Sequence, residues 1–413
     1  MKPGGLLIYL LMCPIMVWAG LFALTDAFLL IYSGDYAALV GQIAIAVACG
    51  QKSTIGGTVG APAGDLLGRS GTILAGAITA ALFFQGASAY AITGSSIWFA
   101  MTWINWGHRF GYSPAWWRFV IRNNMGSYFA KAELRSQTGT KAKETMRTSK
   151  TLYCFHPHGM TCAGYAANGI WAKEFNERAT PKPLPKDWEA KAWPGTMFFI
   201  AAGLREPSHL FKMLCDASGR VESASKENIK KRFKEGRNVG IIPGGFEEAT
   251  IYEHGKHRVA MRRRKGLIKY ALQHGYALVP IYTFGENRTY YTISGWVRLR
   301  QIINSFQMPA VAFWGAWFLP VLPRYDAEVL TYVGLPVQLP KIEEPTGDEV
   351  DMWLEKYLDA LRTLFDESKA EAGEPNAVLE VWSEQGVGEV KTTTNGNGKS
   401  AAPRSKSPAR RKA

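Results

Sequence analysis

Paired or metal-type cysteine spacing is missing from this sequence. Its five cysteines stand at 13, 49, 154, 162 and 215, odd in number and scattered. That pattern excludes a metal-binding cysteine ribbon and a disulfide framework, and it reads as reduced thiols facing the cytosol or buried in membrane. Acidic residues are in deficit: 34 Asp and Glu against 48 Lys and Arg leave a formal charge of +14. Such a balance points to anionic partners. No internal repeat is present, which excludes a repeat architecture. Acidic and aromatic side chains are both absent from residues 391–412, which carry seven basic residues among Ala, Ser, Thr, Asn, Gly and Pro. This tail is expected to be disordered, either simply solvated or touching anionic lipid.

Charge of either sign is missing near the start. Residues 3–25 carry none and are long enough to span a bilayer. They are read as a retained anchor rather than a cleaved signal peptide, because more membrane-like sequence lies beyond them. Residues 36–51 are uncharged but short for a span, and 52–69 form a Gly-rich connection. Residues 71–107 again carry no charge. That run is too long for one span and suits a helix hairpin turning near Gly94, Ser95 and Ser96. Lys52 and Arg69 precede it and Arg109, Arg118 and Arg122 come after it, so the positive-inside rule places both flanks in the cytoplasm. A buried, Ala-rich soluble helical domain is the competing reading, and the length of the uncharged run speaks against it.

Beyond residue 110 the texture changes. A chain of 413 residues, 47% hydrophobic and 12% aromatic, can build one large core with additions. Residues 112–135 mix Trp116, Trp117, Tyr128 and Phe129 with Arg118 and Arg122, which suits a segment on a bilayer surface or an amphipathic connector. Residues 137–150 read as a polar linker. Strands are expected from residue 151, at 197–202, 238–242 and 276–284, and at an edge over 329–333. Helices are expected after residue 160, at 207–215, at 225–236, and at 261–274 with Leu267, Tyr270 and Ala271 inward. Another begins at the capping box Thr346-x-x-Glu349, behind which Val350, Trp353, Tyr357, Leu361 and Leu364 recur at helical spacing. Residues 301–319 are apolar and aromatic and are expected to touch lipid. Alternating strands and helices make the fold class α/β. The expected organisation is a hydrophobic transmembrane helical region over 1–110, an interfacial segment and linker over 111–150, a catalytic domain over 151–372, and a basic tail over 373–413.

Three strand ends carry polar groups. Residues 151–159 read TLYCFHPHG, a short apolar strand that stops at Pro157 and Gly159 beside a helix start. Open α/β sheets place their chemistry there. The next expected strand runs into Gly244, Gly245, Glu247 and Glu248, and a third into Glu286 and Asn287. If the strands are neighbours, these groups meet. An imidazole is the usual general base for activating a hydroxyl, and an orienting carboxylate completes the pair. His158 is the favoured base, since Gly159 leaves room for a substrate, while His156 is left to hold the turn. The sharpest rival is a metal held by His156, His158 and Glu248, because residues i and i+2 of a strand share a face. That would make a metal-dependent hydrolase. The basic run Arg262, Arg263, Arg264, Lys265 and Lys269 can grip phosphates or remain a solvated face, and a nucleic-acid partner would leave the membrane segments without a use.

Four stretches carry a resemblance when taken in order: FHPHG at 155–159, GGFEEA at 244–249, RKGLIKYALQHGYALVP at 264–280 and FGEN at 284–287. Together they resemble the type-2 acyl-CoA:diacylglycerol acyltransferase family, which includes monoacylglycerol and wax-alcohol acyltransferases, over roughly residues 116–369. The resemblance implies an acyltransferase-like α/β domain that moves a fatty acyl group from acyl-CoA to diacylglycerol, in a multi-pass protein of the endoplasmic reticulum membrane and lipid droplets. It implies His158 and His156 as catalytic residues, with Glu248 in the carboxylate position of the Gly-Gly motif and Glu247 at a variable one. Related glycerol-phosphate acyltransferases place an Asp where Ala163 stands here, so the orienting carboxylate is assigned to Glu248. Substrate contacts are assigned to Pro157, Gly159, Gly244, Gly245, Arg264, Lys265, Lys269, Glu286 and Asn287. No metal or organic cofactor is expected, acyl-CoA being a substrate, and the partners expected are diacylglycerol, the bilayer and, in an oligomer, further copies of the chain. A non-enzymatic lipid-droplet protein is the reading from another class.

Overall fold

Alternation of apolar side chains along short strands, joined by helices with one apolar stripe, builds a sheet covered on both faces. The computed structural model describes residues 1–12, 111–182, 193–201, 209–261, 264–293, 295, 299–300, 311–383 and 386–387, with scattered positions between 30 and 96. In chain order it contains α1 (Pro3–Met12), α2 (Pro114–Asn123), β1 (Lys131–Ser136), β2 (Thr151–His156), α3 (Lys173–Arg178) and β3 (Met197–Ile200). Then come α4 (His209–Ser218), β4 (Val221–Ser223), α5 (Lys226–Lys234), β5 (Val239–Ile241), α6 (Gly245–Ile251) and β6 (His257–Val259). The remainder is α7 (Lys265–His274), β7 (Ala277–Phe284), β8 (Tyr291–Thr292), β9 (Phe313–Trp314), β10 (Glu328–Val333), β11 (Val337–Gln338), α8 (Gly347–Ser368), β12 (Leu379–Ser383) and β13 (Gly386–Val387).

The main sheet has the order β1-β10-β7-β2-β5-β3-β4, with β11 added beside β7. Strands β7, β2, β5, β3 and β4 run parallel, and β10 meets β7 antiparallel. The expected strand–helix alternation is therefore present, and the class is α/β. In β2 the period of two sends Tyr153 and Phe155 to one core with Phe175, Phe198 and Val279, and Leu152 and Cys154 to another with α7 and α8. That second core holds Ile268, Ala271 and Leu272 of α7 and Tyr357, Leu361 and Phe365 of α8.

Several expectations are corrected here. Residues 329–333 are not at an edge: β10 lies between β1 and β7. The edge strand on that side is β1, in a stretch read as interfacial, and its mostly half-buried pattern gives no apolar alternation to recognise. The sheet domain thus begins before residue 151. It also ends beyond 372, because β12 pairs in parallel with β6 in a second, smaller sheet. In α7 the buried stripe is Ile268, Ala271 and Leu272, with Leu267 and Tyr270 only partly covered.

The hydrophobic start is described only in part. Of residues 3–25, α1 covers the first ten, and its Ile8 and Tyr9 are fully buried against protein. The expected hairpin over 71–107 falls almost wholly outside the described residues. Among the described residues no helix is long and apolar enough to cross a membrane.

The capping box of α8 is present in both directions: Thr346 accepts from the Glu349 N–H and Glu349 from that of Thr346. Because this box closes the first turn of the longest described helix, Thr346→Ala should lower unfolding free energy by about 1 kcal/mol. Urea denaturation of the two proteins would read the difference, and an unchanged midpoint would show that the cap contributes nothing.

Candidate active site

The site forms where β2 stops. His156 is its last residue, the His156–Pro157 bond is cis, and Gly159 stands just beyond at φ +60. Because β5, β2 and β7 are neighbours, their carboxyl ends bring together the loops of all three expected strand ends.

A buried carboxylate joins two of them. Glu248, in the first turns of α6, places Oε1 3.1 Å from His156 Nδ1 and 2.9 Å from the Ala260 N–H, and Oε2 2.6 Å from the His158 N–H. Burial pushes its carboxyl up, but the His156 ring and the Ala260 and His158 N–H groups outweigh that and hold it below the ordinary range. An ionised carboxylate accepts only, so His156 Nδ1 carries the proton. Its Nε2 then accepts from the Tyr357 hydroxyl at 3.0 Å. The alternation of β2 explains the meeting: His156 shares the face of Leu152 and Cys154, which is the face α8 covers. Both nitrogens of His156 are engaged and the ring is fully buried, so this residue holds the site together.

His158 differs. It is only partly buried, and Nδ1 lies 2.9 Å from the Gly159 carbonyl. A carbonyl can only accept, so Nδ1 donates and Nε2 keeps a free lone pair. Burial lowers its pKa; the Gly159 carbonyl and Glu248 pull it up and Arg264 pulls it down, and the net is below the ordinary value. The ring is therefore neutral at neutral pH, with Nε2 as the available base.

This geometry corrects one expected role and bears on the rival reading. Glu248 does not orient the His158 ring; it holds the His158 backbone N–H and the His156 ring instead. The rival metal site needs both imidazoles on one face, but the strand ends at His156 and the i, i+2 relation ends with it. Among the described residues no cluster of three or more His, Cys, Asp or Glu is arranged to hold a metal ion.

The glycines and the third loop also read differently in three dimensions. A Cβ on Gly159 would lie 2.3 Å from Glu286 Oε1, and one on Gly244 would lie 2.0 Å from the Glu248 carboxyl carbon. These glycines admit the two carboxylates; the room beside Gly159 is filled by Glu286 rather than left for a substrate. Glu286 is fully buried and accepts from the Ala163 and Gly164 N–H groups at 3.0 and 2.7 Å, where the chain after the His-Pro-His-Gly turn becomes helical. Burial raises its pKa to about 7 against the pull of those two N–H groups. Asn287, expected at the substrate, instead faces His257 at 3.2 Å, and His257 pairs with Glu374. Of the basic run, Arg264 reaches the site, its Nη2 3.0 Å from the Gly244 carbonyl. Lys265 is paired with Asp351 at the surface and Lys269 is exposed. Gly245, at φ +54, lies 3.3 Å from Arg264 Nη2 measured from its Cβ position. Arg262 and Arg263 lie outside the described residues. Tyr357 is legible in the sequence only as one apolar position of a helix stripe; nothing in its spacing marks the hydroxyl.

Glu286 yields a pH test. Its folded pKa lies above the ordinary carboxyl value, so its contribution to stability is fully present below about pH 4.5 and is lost as the pH rises through about 7. The stability advantage of the parent over Glu286→Gln should therefore shrink between about pH 5 and about pH 8 in paired urea titrations. An advantage that grows with pH would contradict the buried, proton-retaining state.

Similarity to known proteins covers the same residues. A family model described as Diacylglycerol acyltransferase matches residues 81–382. Diacylglycerol O-acyltransferase 2 of Homo sapiens is 31% identical over 263 residues, 58% of this chain and 62% of the relative. The protein of that name from Danio rerio is 30% identical over 246 residues, 56% of this chain and 64% of the relative. 2-acylglycerol O-acyltransferase 3 of Homo sapiens is 31% identical over 235 residues, 53% of this chain and 64% of the relative. The chain thus spans 62% to 64% of the length of these relatives. No solved structure matches it significantly. The span matched by the family model runs past β12's pairing with β6 and takes in every loop of the site, and the chain belongs to the diacylglycerol acyltransferase family.

Proposed function

We propose that this chain transfers a fatty acyl group from acyl-CoA to the free hydroxyl of diacylglycerol, giving triacylglycerol and CoA. The observation that carries the reading is His158: a neutral ring whose Nδ1 is committed to the Gly159 carbonyl and whose Nε2 is left as a base. Nε2 takes the hydroxyl proton as the oxygen attacks the thioester carbonyl. The tetrahedral intermediate collapses, the C–S bond breaks, and the imidazolium returns the proton to the departing CoA thiolate. Backbone N–H groups around Gly244 and Gly245 are assigned to the oxyanion, a contribution worth a few kcal/mol in other acyl-transfer enzymes. Arg264, beside those glycines, is the cation best placed for the CoA end of the donor. No metal or organic cofactor enters these steps.

The same reading puts the protein in the membrane of the endoplasmic reticulum, and on lipid droplets, through the uncharged run at 71–107. Diacylglycerol then reaches the site from the bilayer. The likeness to a 2-acylglycerol O-acyltransferase favours monoacylglycerol as the second acceptor to try. Expression in a cell that makes no neutral lipid, with lipid analysis afterwards, separates the acceptors by their product. Accumulation of neither triacylglycerol nor another acylglycerol would overturn the proposal.

Two variants test the mechanism. His158→Ala should abolish acyl transfer while leaving membrane insertion intact, and full turnover would remove His158 from the reaction. Tyr357→Phe keeps the ring but deletes the hydroxyl that His156 Nε2 accepts from, so kcat should fall about tenfold with KM nearly unchanged. With the base already neutral below the ordinary imidazole range, the acid limb of kcat/KM in the parent should lie below about pH 6.5.

A further inference from the structure

We infer that Glu374, in the turn between α8 and β12, is a positioning residue of the transfer reaction: it clamps β6 through His257 and so aims the Ala260 N–H at Glu248. This deepens the proposed function, on which it rests for its readout in turnover, by extending the machinery into a stretch expected from sequence to be a tail.

Strand β6 needs a clamp. It is the three residues His257–Val259, and its partner in the smaller sheet is β12. So short a strand pair is marginal by itself. Side chains on both faces of β6 supply what the backbone pairing does not. Val259 is buried in one core with Leu379 and Val381 of β12. On the opposite face Arg258 Nε lies 2.8 Å from Glu380 Oε2, and its guanidinium stands over the Trp382 ring at 5.1 Å. The buried His257 ring places Nε2 2.8 Å from Glu374 Oε2 and Nδ1 2.9 Å from the Tyr282 hydroxyl of β7. Burial pushes the Glu374 carboxyl up, but His257 and Arg288 outweigh that and hold it below the ordinary range. It is therefore an anion, which can only accept, so Nε2 donates to it and Nδ1 accepts from Tyr282. Glu374 thus orients the ring that ties β6 to the main sheet. It is itself anchored, its N–H donating to the Lys369 carbonyl just past α8 at 2.8 Å.

Chemistry enters at the end of β6. Just beyond the strand, the Ala260 N–H donates to Glu248 Oε1 at 2.9 Å, the oxygen that also meets His156 Nδ1 at 3.1 Å. Among the described residues the other donors to Glu248 come from β2 and its turn, so Ala260 is the contact that depends on β6. Glu248 in turn holds the His158 N–H through Oε2 at 2.6 Å. A line of contacts therefore runs from Glu374 through His257, β6 and Ala260 to Glu248 and the base. Loss at its far end lets β6 drift, and a misplacement of about 1 Å in an active site costs up to about a hundredfold in rate.

The test uses the full chain in detergent micelles and compares the parent with Glu374→Ala and Glu374→Gln. In Glu374→Ala, kcat should fall on the order of tenfold with KM for both substrates unchanged. Glu374→Gln, whose amide oxygen still accepts from His257, should keep most of the parent's kcat. Hydrogen–deuterium exchange on the same samples separates positioning from mere stability. Glu374→Ala should speed exchange in peptides covering 257–261 and, through Glu248, in those covering 156–161, with β7 and β10 as protected as in the parent. Parent-like kcat in Glu374→Ala would overturn the inference, as would faster exchange at 257–261 with no change at 156–161. Loss of protection across β7 and β10 would make Glu374 a residue of global stability and overturn it equally. Exchange needs no turnover, so loosening transmitted to 156–161 in a chain that transfers no acyl group would defeat the proposed reaction and uphold the line from Glu374 to Glu248.

Discussion

The Glu248 carboxylate is the constraint on which the site depends. Burying a carboxylate costs several kcal/mol unless its oxygens are saturated with donors. Here the donors come from three segments: the His156 ring at the end of β2, the His158 N–H in the turn after it, and the Ala260 N–H beyond β6. Each contact offsets part of the burial cost only if the turn, α6 and β6 are all in place. The carboxylate therefore converts a folding requirement into a fixed backbone position for His158. Gly244 is part of the same constraint, since any side chain there would occupy the space of the Glu248 carboxyl.

Around it the two histidines divide the work. His156 donates to Glu248 and accepts from Tyr357, so its proton is held in place and its ring is closed to substrate. His158 is fixed by its backbone and by the Gly159 carbonyl, leaving one nitrogen unused among the described residues. Glu286 braces the turn from the other side by capping the helical segment beyond it. Among the described residues α8 meets the site's histidines through Tyr357, and it helps cover the sheet face on which His156 lies. Glu248 sets the tautomer of a buried ring, and the Tyr357 hydroxyl on α8 meets the nitrogen left over.

Much of the fold was legible because local patterns and the tertiary structure agree. The strands at β2, β5 and β7 carry unbroken apolar runs, and the starts of α5 and α8 carry real caps at Ser225 and Thr346. The edge strand β1 was not legible, because half-buried side chains such as Lys131, Glu133 and Arg135 carry no alternation of polarity. Nor was β12, which is read correctly only once β6 is known to lie beside it. The basic run near residue 264 reads in sequence as a phosphate grip or a solvated face; in three dimensions Arg264 turns to Gly244 while Lys265 pairs with Asp351 on α8. Exposed charge chooses partners by proximity, and proximity is not written in spacing.

The amino-acid sequence by itself determined the α/β class, the three polar strand ends and the histidines among them, because periodicity and turn residues act over a few positions along the chain. Tertiary structure alone decided that β5, β2 and β7 are neighbours, that Glu248 holds the His158 backbone and not its ring, that Glu286 fills the space at Gly159, and that Tyr357 meets the His156 ring. Glu248 and His158 stand 90 positions apart, and His156 and Tyr357 stand 201 apart. Such meetings depend on which faces are buried against which, a property of the packed molecule that no local pattern encodes.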